Sequence, residues 1–445
     1  MTLARSEPTP SFAEATGSFA RIGLLSFGGP AGQIALMHRV LVEEKKWLDE
    51  ARFLHALNYC MILPGPEAMQ LATYSGWLLH GVRGGLMAGL LFVLPGALVI
   101  TLLSALYLAL GQEPLAQGLL FGLKAAVLAV VLDALIKVSR RALKTPLAYV
   151  LAVAAFLALM VLNVPFPAVI VIAALVGIIA DLVGPNTGAA QAASLQSSLA
   201  PVAMPEWTRP SLRRFLSTLA AWLMIWFAPL ILLAAALGSQ HVLVTEGVFF
   251  SKMAAVTFGG AYAVLAYVAQ QAVEIYGWLK PDEMLTGLGL AETTPGPLIL
   301  VLVFVGFLGG ARLSGFDPIV GGLAGAAVTL WFTFVPCFLW IFAGAPYVET
   351  LRGVRWLSSA LSAVTAAVVG VIANLGVWFA LHVLFADVGS WTAGLISMPV
   401  PAFASFQPVA LVIATLAAIA LIWFKANMIL VLATAALAGM AWSVL

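Results

Sequence analysis

"FGG" at 27–29 returns as "FGG" at 258–260, and "PGP" at 64–66 returns as "PGP" at 295–297, both pairs in one register. Proline removes a helical hydrogen bond and clashes with the preceding turn, and glycine loosens the backbone. Both clusters therefore break helices inside stretches otherwise apolar enough for a bilayer. The same offset carries Phe19 onto Phe250, Arg21 onto Lys252, Ser26 onto Thr257 and Trp47 onto Trp278. After a short insertion near 311–320 the offset lengthens, so that Pro95 falls on Pro336 and "KAAVLAVVLDAL" (124–135) on "TAAVVGVIANLG" (365–376). One tripeptide recurs by chance in a Gly- and Pro-rich chain. Two tripeptides with Arg/Lys, Ser/Thr and Trp/Trp in a single frame do not, so the chain is an internal duplication.

The solvent of this chain is lipid. Of its 445 residues 62% are hydrophobic and 9% charged, where a soluble chain carries about 25% charged residues. The mean hydropathy is +1.06. A net charge of +2 gives no electrostatic footprint for nucleic acid. Cys60 and Cys337 are not mates under the repeat offset and sit in apolar stretches, which reads as two buried thiols and neither a disulfide nor a metal pair. "MTLARSEPTPSFAEATGSF" lacks a basic start followed by an apolar core, so the first membrane segment is expected to direct insertion itself.

Thirteen apolar stretches fall near 12–38, 53–80, 84–110, 116–138, 145–162, 165–184, 213–238, 246–276, 283–310, 318–344, 355–385, 407–424 and 426–444. Each approaches the roughly 20 residues a helix needs to cross the hydrocarbon. The expected class is an all-α polytopic membrane protein. Residues 1–184 form a first repeat, 185–212 a small, polar, Pro-containing linker, 213–238 an unpaired connecting helix and 239–445 the second repeat. Six segments plus one connector turn the second copy upside down, the inverted-repeat plan of many transporters.

An isolated break is most simply a kink used in packing. Four at repeat-related positions point to function, because backbone freed within a membrane needs protein or a water-filled cavity around it. Pro30, Pro66 and Pro297 each stand where a new half-helix begins, a position that tolerates the missing N–H. The free N–H groups and positive dipole end of such a half-helix suit an anion. Arg21, Lys124 and Lys252 are the basic residues inside predicted segments, and Arg21 and Lys252 are repeat mates just before each FGG. An intramembrane cation costs about 2.5–3.5 kcal/mol or more and marks function, unless it snorkels to the interface. Ser26 and Thr257 add hydroxyls beside the same breaks.

Among the acids, Asp133 lies four residues before Lys137, which predicts an intrahelical pair. Glu67 follows the first PGP and can serve as a helix-start charge or carry a proton. Glu292, three residues before the second PGP, has no such structural duty and is the stronger proton-coupling candidate. Gln70 and Tyr74 share a helical face with Glu67. Gly81, Gly85 and Gly89, and likewise Gly321 and Gly325, read as small-residue ladders for close helix packing. Trp residues near segment ends read as interface anchors.

If every segment crosses, Lys and Arg divide 13 to 5 between the two sides; if the first two segments of each copy are re-entrant hairpins, they divide 16 to 2, with three in the membrane. The positive-inside rule then puts the amino terminus in the cytoplasm and the carboxyl terminus outside, and the steeper division favours hairpins.

"FARIGLLSFGGPAGQI" with "LPGPEAMQLATYSGW", then "KMAAVTFGGAYAVL" with "AETTPGPLILV", resemble the signature segments of the chromate ion transporter family in its long, two-domain form, over nearly the whole chain. The resemblance implies an exporter of chromate in the cytoplasmic membrane, driven by the proton or electrical gradient and conferring resistance, with sulfate as a competing analogue. By motif position it assigns ligand contacts to Arg21, Ser26, Gly28, Gly29, Pro30 and Gln33, and to Pro64, Gly65, Pro66 and Gln70. The second copy offers Lys252, Thr257, Gly259, Gly260, Pro295, Gly296 and Pro297. It departs from the first where Ala261, Val264 and Val301 replace Pro30, Gln33 and Gln70, so the first copy is expected to carry more of the ligand contacts. The implied partners are chromate or sulfate and the bilayer, with a homodimer left open and no cofactor or metal. An anion channel would use the same half-helix ends without a coupling acid, and import competes with export. No HExxH, acid pair or nucleophile–base spacing supports an intramembrane enzyme, and no Walker motif supports a pump.

Overall fold

The structure is a computed structural model that describes residues 10–183, 210–258, 260–347, 355–394 and 396–444. Gly259 and most of the expected linker lie outside the described residues. The first repeat opens with α1 (Phe12–Leu25), α2 (Gly29–His38), a π-helical turn (Arg39–Glu44) and α3 (Glu50–Cys60). It continues with α4 (Glu67–Leu110), α5 (Pro114–Ala142), α6 (Pro146–Met160) and α7 (Phe166–Val183). The connector is α8 (Leu212–Leu237). The second repeat contains α9 (Val242–Val256), α10 (Ala261–Ala269), a π turn (Gln270–Ile275), α11 (Pro281–Glu292), α12 (Val301–Leu313) and α13 (Pro318–Gly344). After α14 (Arg355–Leu384) come strands β1 (Val388–Ala393) and β2 (Ile396–Pro401), then α15 (Pro408–Ala418) and α16 (Met428–Val444).

The duplication is visible in the backbone. The two π turns are mates under the offset that relates the FGG and PGP motifs. Each is closed alike: Trp47 N–H donates to Leu41 O at 2.9 Å, and Trp278 N–H to Ala272 O at 2.8 Å. Further along, Pro95 inside α4 and Pro336 inside α13 are mates under the longer offset that follows the insertion. The second copy then inserts the antiparallel β1–β2 hairpin, which displaces the mates further, and Pro146 and Pro408 open the next helices. The hairpin has no counterpart in the sequence reading; it is docked through Ser397 N–H to Val161 O at 3.0 Å.

Six described helices are long and apolar enough to cross a membrane: α4, α5, α7, α8, α13 and α14; five more apolar helices are shorter. The first elements of each copy do not cross but turn back. Lys45, at the end of the first π turn, meets Glu14 near the start of α1 at 3.0 Å. A straight passage through α1 and α2 would carry those ends tens of ångströms apart. Arg312 at the end of α12 likewise holds Glu283 at the start of α11 through two bonds of 2.6 and 2.7 Å. Inside α4 the backbone leaves the helix at His80 and Gly81 (φ 59°), and the chain folds so that Gly76 and Gly84 pack backbone to backbone. Gly81 is thus a hinge with nothing near it, not the packing rung expected; Gly85 and Gly89 do pack, against Phe342 and Phe338. Trp77, Trp226 and Trp278 are buried, so these three are core residues and not interface anchors.

The copies are interleaved. In the first repeat α1 packs on α4, and in the second α9 packs on α13; these elements with α8 and α12 form a central body. Around it α5 packs on α15 and α16 of the other copy, while α14 packs on α6 and α7. Each body contains parts of both repeats. Whole copies moving as rigid halves against each other is therefore not available to this fold.

Candidate anion site

All four breaks meet, and they meet reciprocally. Gly65 N–H donates to Thr257 O at 2.8 Å, and its repeat mate Gly296 N–H donates to Ser26 O, mate of Thr257, also at 2.8 Å. Each PGP glycine thus closes the frayed end of the helix before the other copy's FGG. Both glycines need positive φ, 120° at Gly65 and 95° at Gly296, where a side chain would be strained. A Cβ at Gly65 would in addition come within 3.0 Å of Cys337 Sγ and 2.9 Å of Gln70 Nε2. In hydrocarbon these amides have no water to turn to, so the pairing satisfies groups that breaking the helices had exposed.

The hydroxyls follow the same symmetry. Ser26 Oγ donates to Ile22 O, and Thr257 Oγ1 to Met253 O, both at 2.6 Å. Their protons hold the last turns of α1 and α9. Gln33 Nε2 crosses to Gly296 O at 2.6 Å and Gln70 Nε2 reaches Pro64 O at 2.7 Å, while the two buried Oε1 atoms have no partner among the described residues. Pro66, Pro295 and Pro297 are buried and Pro64 half-buried, so the PGP breaks are the interior of a lock.

The FGG breaks are different. Around Gly28, Gly29 and Gly260 a Cβ would meet nothing within 4 Å. Gly28 (φ 88°) caps α2, Pro30 occupies its first turn, and the N–H groups of Gly28, Gly29 and Ala31 have no partner within the helix. Ala31 and Gly32 are exposed beside them. This is an uncovered helix N-terminus next to the crossed breaks, with both the donors and the dipole sign for an oxyanion.

Arg21 and Lys252 are not buried in this centre. Arg21 is exposed and paired with Glu44 at 3.3 Å, and Lys252 is exposed on α9. Lys124 pairs with Asp282 at 3.6 Å, and Asp133 with Lys137 at 2.5 Å, as the i,i+4 spacing predicted. Glu67 opens α4 half-buried. Glu292 is buried and accepts a hydrogen bond from Tyr262 Oη at 2.5 Å. Sequence reading named Glu292 but not Tyr262, whose only sign was its place directly after FGGA. It also passed over Glu246, a lone acid in "VLVTEGVFF" that is wholly buried.

Interlocked inverted copies, paired re-entrant hairpins and an open half-helix end define a membrane transporter of small ions. Comparison with known proteins gives the family. The sequence model of the chromate transporter family matches residues 13–178 and 246–440, and the chain belongs to that family. A protein of Synechococcus elongatus described as a probable chromate transport protein is 28% identical over 405 residues, covering 89% of this chain and 91% of that one. The chromate transport protein of Pseudomonas aeruginosa is 32% identical over 82% of this chain and 80% of its own length. That of Cupriavidus metallidurans is 27% identical over 82% of each. No solved structure matches.

Proposed function

We propose that this protein is a secondary transporter that exports chromate across the cytoplasmic membrane, with sulfate as a competing analogue, driven by the proton or electrical gradient. The observation that carries the reading is the uncovered FGGP half-helix, held open by the reciprocal Gly65–Thr257 and Gly296–Ser26 bonds. A tetrahedral dianion fits converging backbone N–H groups. Gly28, Gly29 and Pro30 make the cradle with the N–H of Ala31. Gln33, Gln70, Ser26, Thr257 and the PGP residues frame it, and Gly260 supplies the second, repeat-related end. Arg21 and Lys252 stand on the helices leading to each break and raise the local anion concentration.

The two repeats are not in the same state. In the second, α10 packs on α14 and α11 on α5, whereas α2 with α5 and α3 with α14 make no comparable contact among the described residues. The protein is thus open beside the first FGG and shut beside the second. The open face is the one bearing Glu14, Lys45 and the other basic loops, which the positive-inside rule makes cytoplasmic, with the amino terminus there and the carboxyl terminus outside. Alternating access then exchanges these two interfaces by moving the central body against the outer helices. Closing the second interface buries Glu292 against Tyr262, and a carboxyl taken out of water is carried more easily with its proton. Proton binding at Glu292 would therefore favour the inward-open state, as chromate–proton exchange requires; Glu67 is the weaker coupling candidate. The assignment of 1–184 and 239–445 as the repeats, joined by 185–212 and 213–238, belongs to the same proposal.

Purified protein in liposomes, with pH and voltage imposed independently, tests this reading through uptake of labelled chromate and its competition by sulfate. Chromate movement that responds to neither gradient makes the protein a channel, and no movement at all removes the proposal.

A further inference from the structure

We infer that Glu246 is a second proton-binding site of the transport cycle, separate from Glu292; this rests on the transporter reading above. Glu246 lies in the second turn of α9, where α9 crosses α12 and α13. Its exposure is 0%, and neither carboxyl oxygen has a hydrogen-bond partner among the described residues. The walls are glycines: a Cβ on Gly309 would lie 2.5 Å from Oε1 and one on Gly325 would lie 3.2 Å from Oε2, with the Trp278 side chain beside them. An ionised carboxylate without donor or cation in such a place is untenable, so the group carries a proton in this conformation.

The other copy supplies an internal control. The repeat mate of Glu246 is Ala15, and the mate of Gly309 is Leu78. Both copies make the same helix crossing, α1 on α4 and α9 on α13, and in the first the two mates, Ala15 and Leu78, are both buried and apolar. In the second, the leucine has shrunk to glycine and the alanine has grown to a glutamate. Packing alone is served by the apolar pair, and an unpartnered buried carboxyl destabilises the fold. A residue that costs stability here and has no structural duty acts in another state, where it gives up its proton.

Among the described residues, no other charged group takes up that proton in this conformation. On the packed elements, His241 meets Ser314 O at 3.0 Å, Arg312 is held by Glu283, and Asp317 accepts from the N–H groups of Ile319 and Val320. Lys252 is exposed on α9, Arg213 and Arg214 stand at the far end of α8, and Cys337 on α13 donates to Thr333 O. The proton on Glu246 therefore enters and leaves only when, as the central body moves against the outer helices, α9 also loosens within it from α12 and α13, and protonation is tied to conformation.

The test uses the full chain in liposomes. Glu246→Gln mimics the protonated acid: chromate–chromate exchange should stay within about twofold of the parent, while uptake driven by a pH gradient falls about fivefold or more. Equal gradient-driven uptake in the parent and the variant overturns the inference, as does gradient-driven uptake that requires sodium in place of protons. A second measurement does not depend on the variant folding or on transport. An apolar carbodiimide should modify Glu246 of the parent protein, read by mass spectrometry, more slowly as pH rises and at a rate that chromate changes. Absence of modification at every pH also overturns it. A parent that moves no chromate under any gradient defeats the transporter reading instead, and the labelling still reports on the proton site.

Discussion

The first FGG break and its mate differ by one proline, one glutamine and one tyrosine, and they sit in opposite states. Around the first, Gly28, Ala31 and Gly32 are exposed and α2 stands clear of α5. Around the second, Tyr262 binds Glu292 and α10 lies against α14. The mates of Tyr262 and Glu292 in the first copy are Ala31 and Met61, which cannot make that bond. One copy therefore offers amide donors where the other has placed an acid and a phenol. On the proposed function, the duplication gave the protein a frame with two equivalent openings, and divergence made one the anion cradle and the other the proton-holding seam. The PGP breaks have not diverged in this way, because each closes the other copy's helix and a change in either loses the same bond.

The largest effect should therefore come from breaking the part the copies share. Gly65→Leu puts a side chain at φ 120° and against Cys337, and Gly296→Leu does the equivalent at φ 95°. Backbone strain of about 1–3 kcal/mol adds to the steric clash and the lost cross-copy bond. Both variants should fail to yield monodisperse protein in detergent, whereas Gly89→Leu, whose nearest neighbours are side-chain atoms of Thr73 and Phe338 at an ordinary helical φ, should yield some. Survival of both PGP variants would mean that the reciprocal bonds do not hold the fold.

Next come the parts that differ. Gly28→Ala meets no neighbour, yet it strains the cradle at φ 88°. It should leave the protein folded and lower chromate transport by about tenfold or more, while Gly260→Ala lowers it less because the second copy binds less of the ligand. The reverse order would exchange the roles of the copies. Tyr262→Phe removes the phenol from Glu292 and should leave chromate exchange near parental while changing the pH dependence of gradient-driven uptake. Exchange and pH dependence both unchanged would take Glu292 out of the coupling.

Much of this was legible because the repeat is legible: glycine and proline change slowly where a backbone must break, so two tripeptides in one frame disclosed the fold. The division of Lys and Arg favours hairpins, and the Glu14–Lys45 and Glu283–Arg312 pairs agree with it. What could not be read was which donors face inward. Ser26 and Thr257 flank the breaks, but a hydroxyl in an apolar helix readily bonds the carbonyl four residues back, and both do. The interleaving of the copies was hidden too, since repeat order along a chain does not say which copy's helices lie together. Glu246 stands in the sequence as a lone acid opposite an alanine, but nothing in its distance from the breaks singled it out.

The smallest effect should come from Arg21, which sequence position had placed among the ligand contacts. Its partner Glu44 is itself partly exposed, and such pairs contribute about 0–1 kcal/mol, so Arg21→Ala should fold and insert normally. If the guanidinium only concentrates anions near the open cradle, transport should fall by severalfold at low salt and by little at high salt, because screening removes the same attraction. Arg21→Lys should then behave like the parent. A loss that Lys does not rescue and that salt does not change would instead put the guanidinium in direct contact with chromate, through the bidentate geometry an ammonium lacks, and would require α1 to turn Arg21 away from Glu44 when the anion arrives.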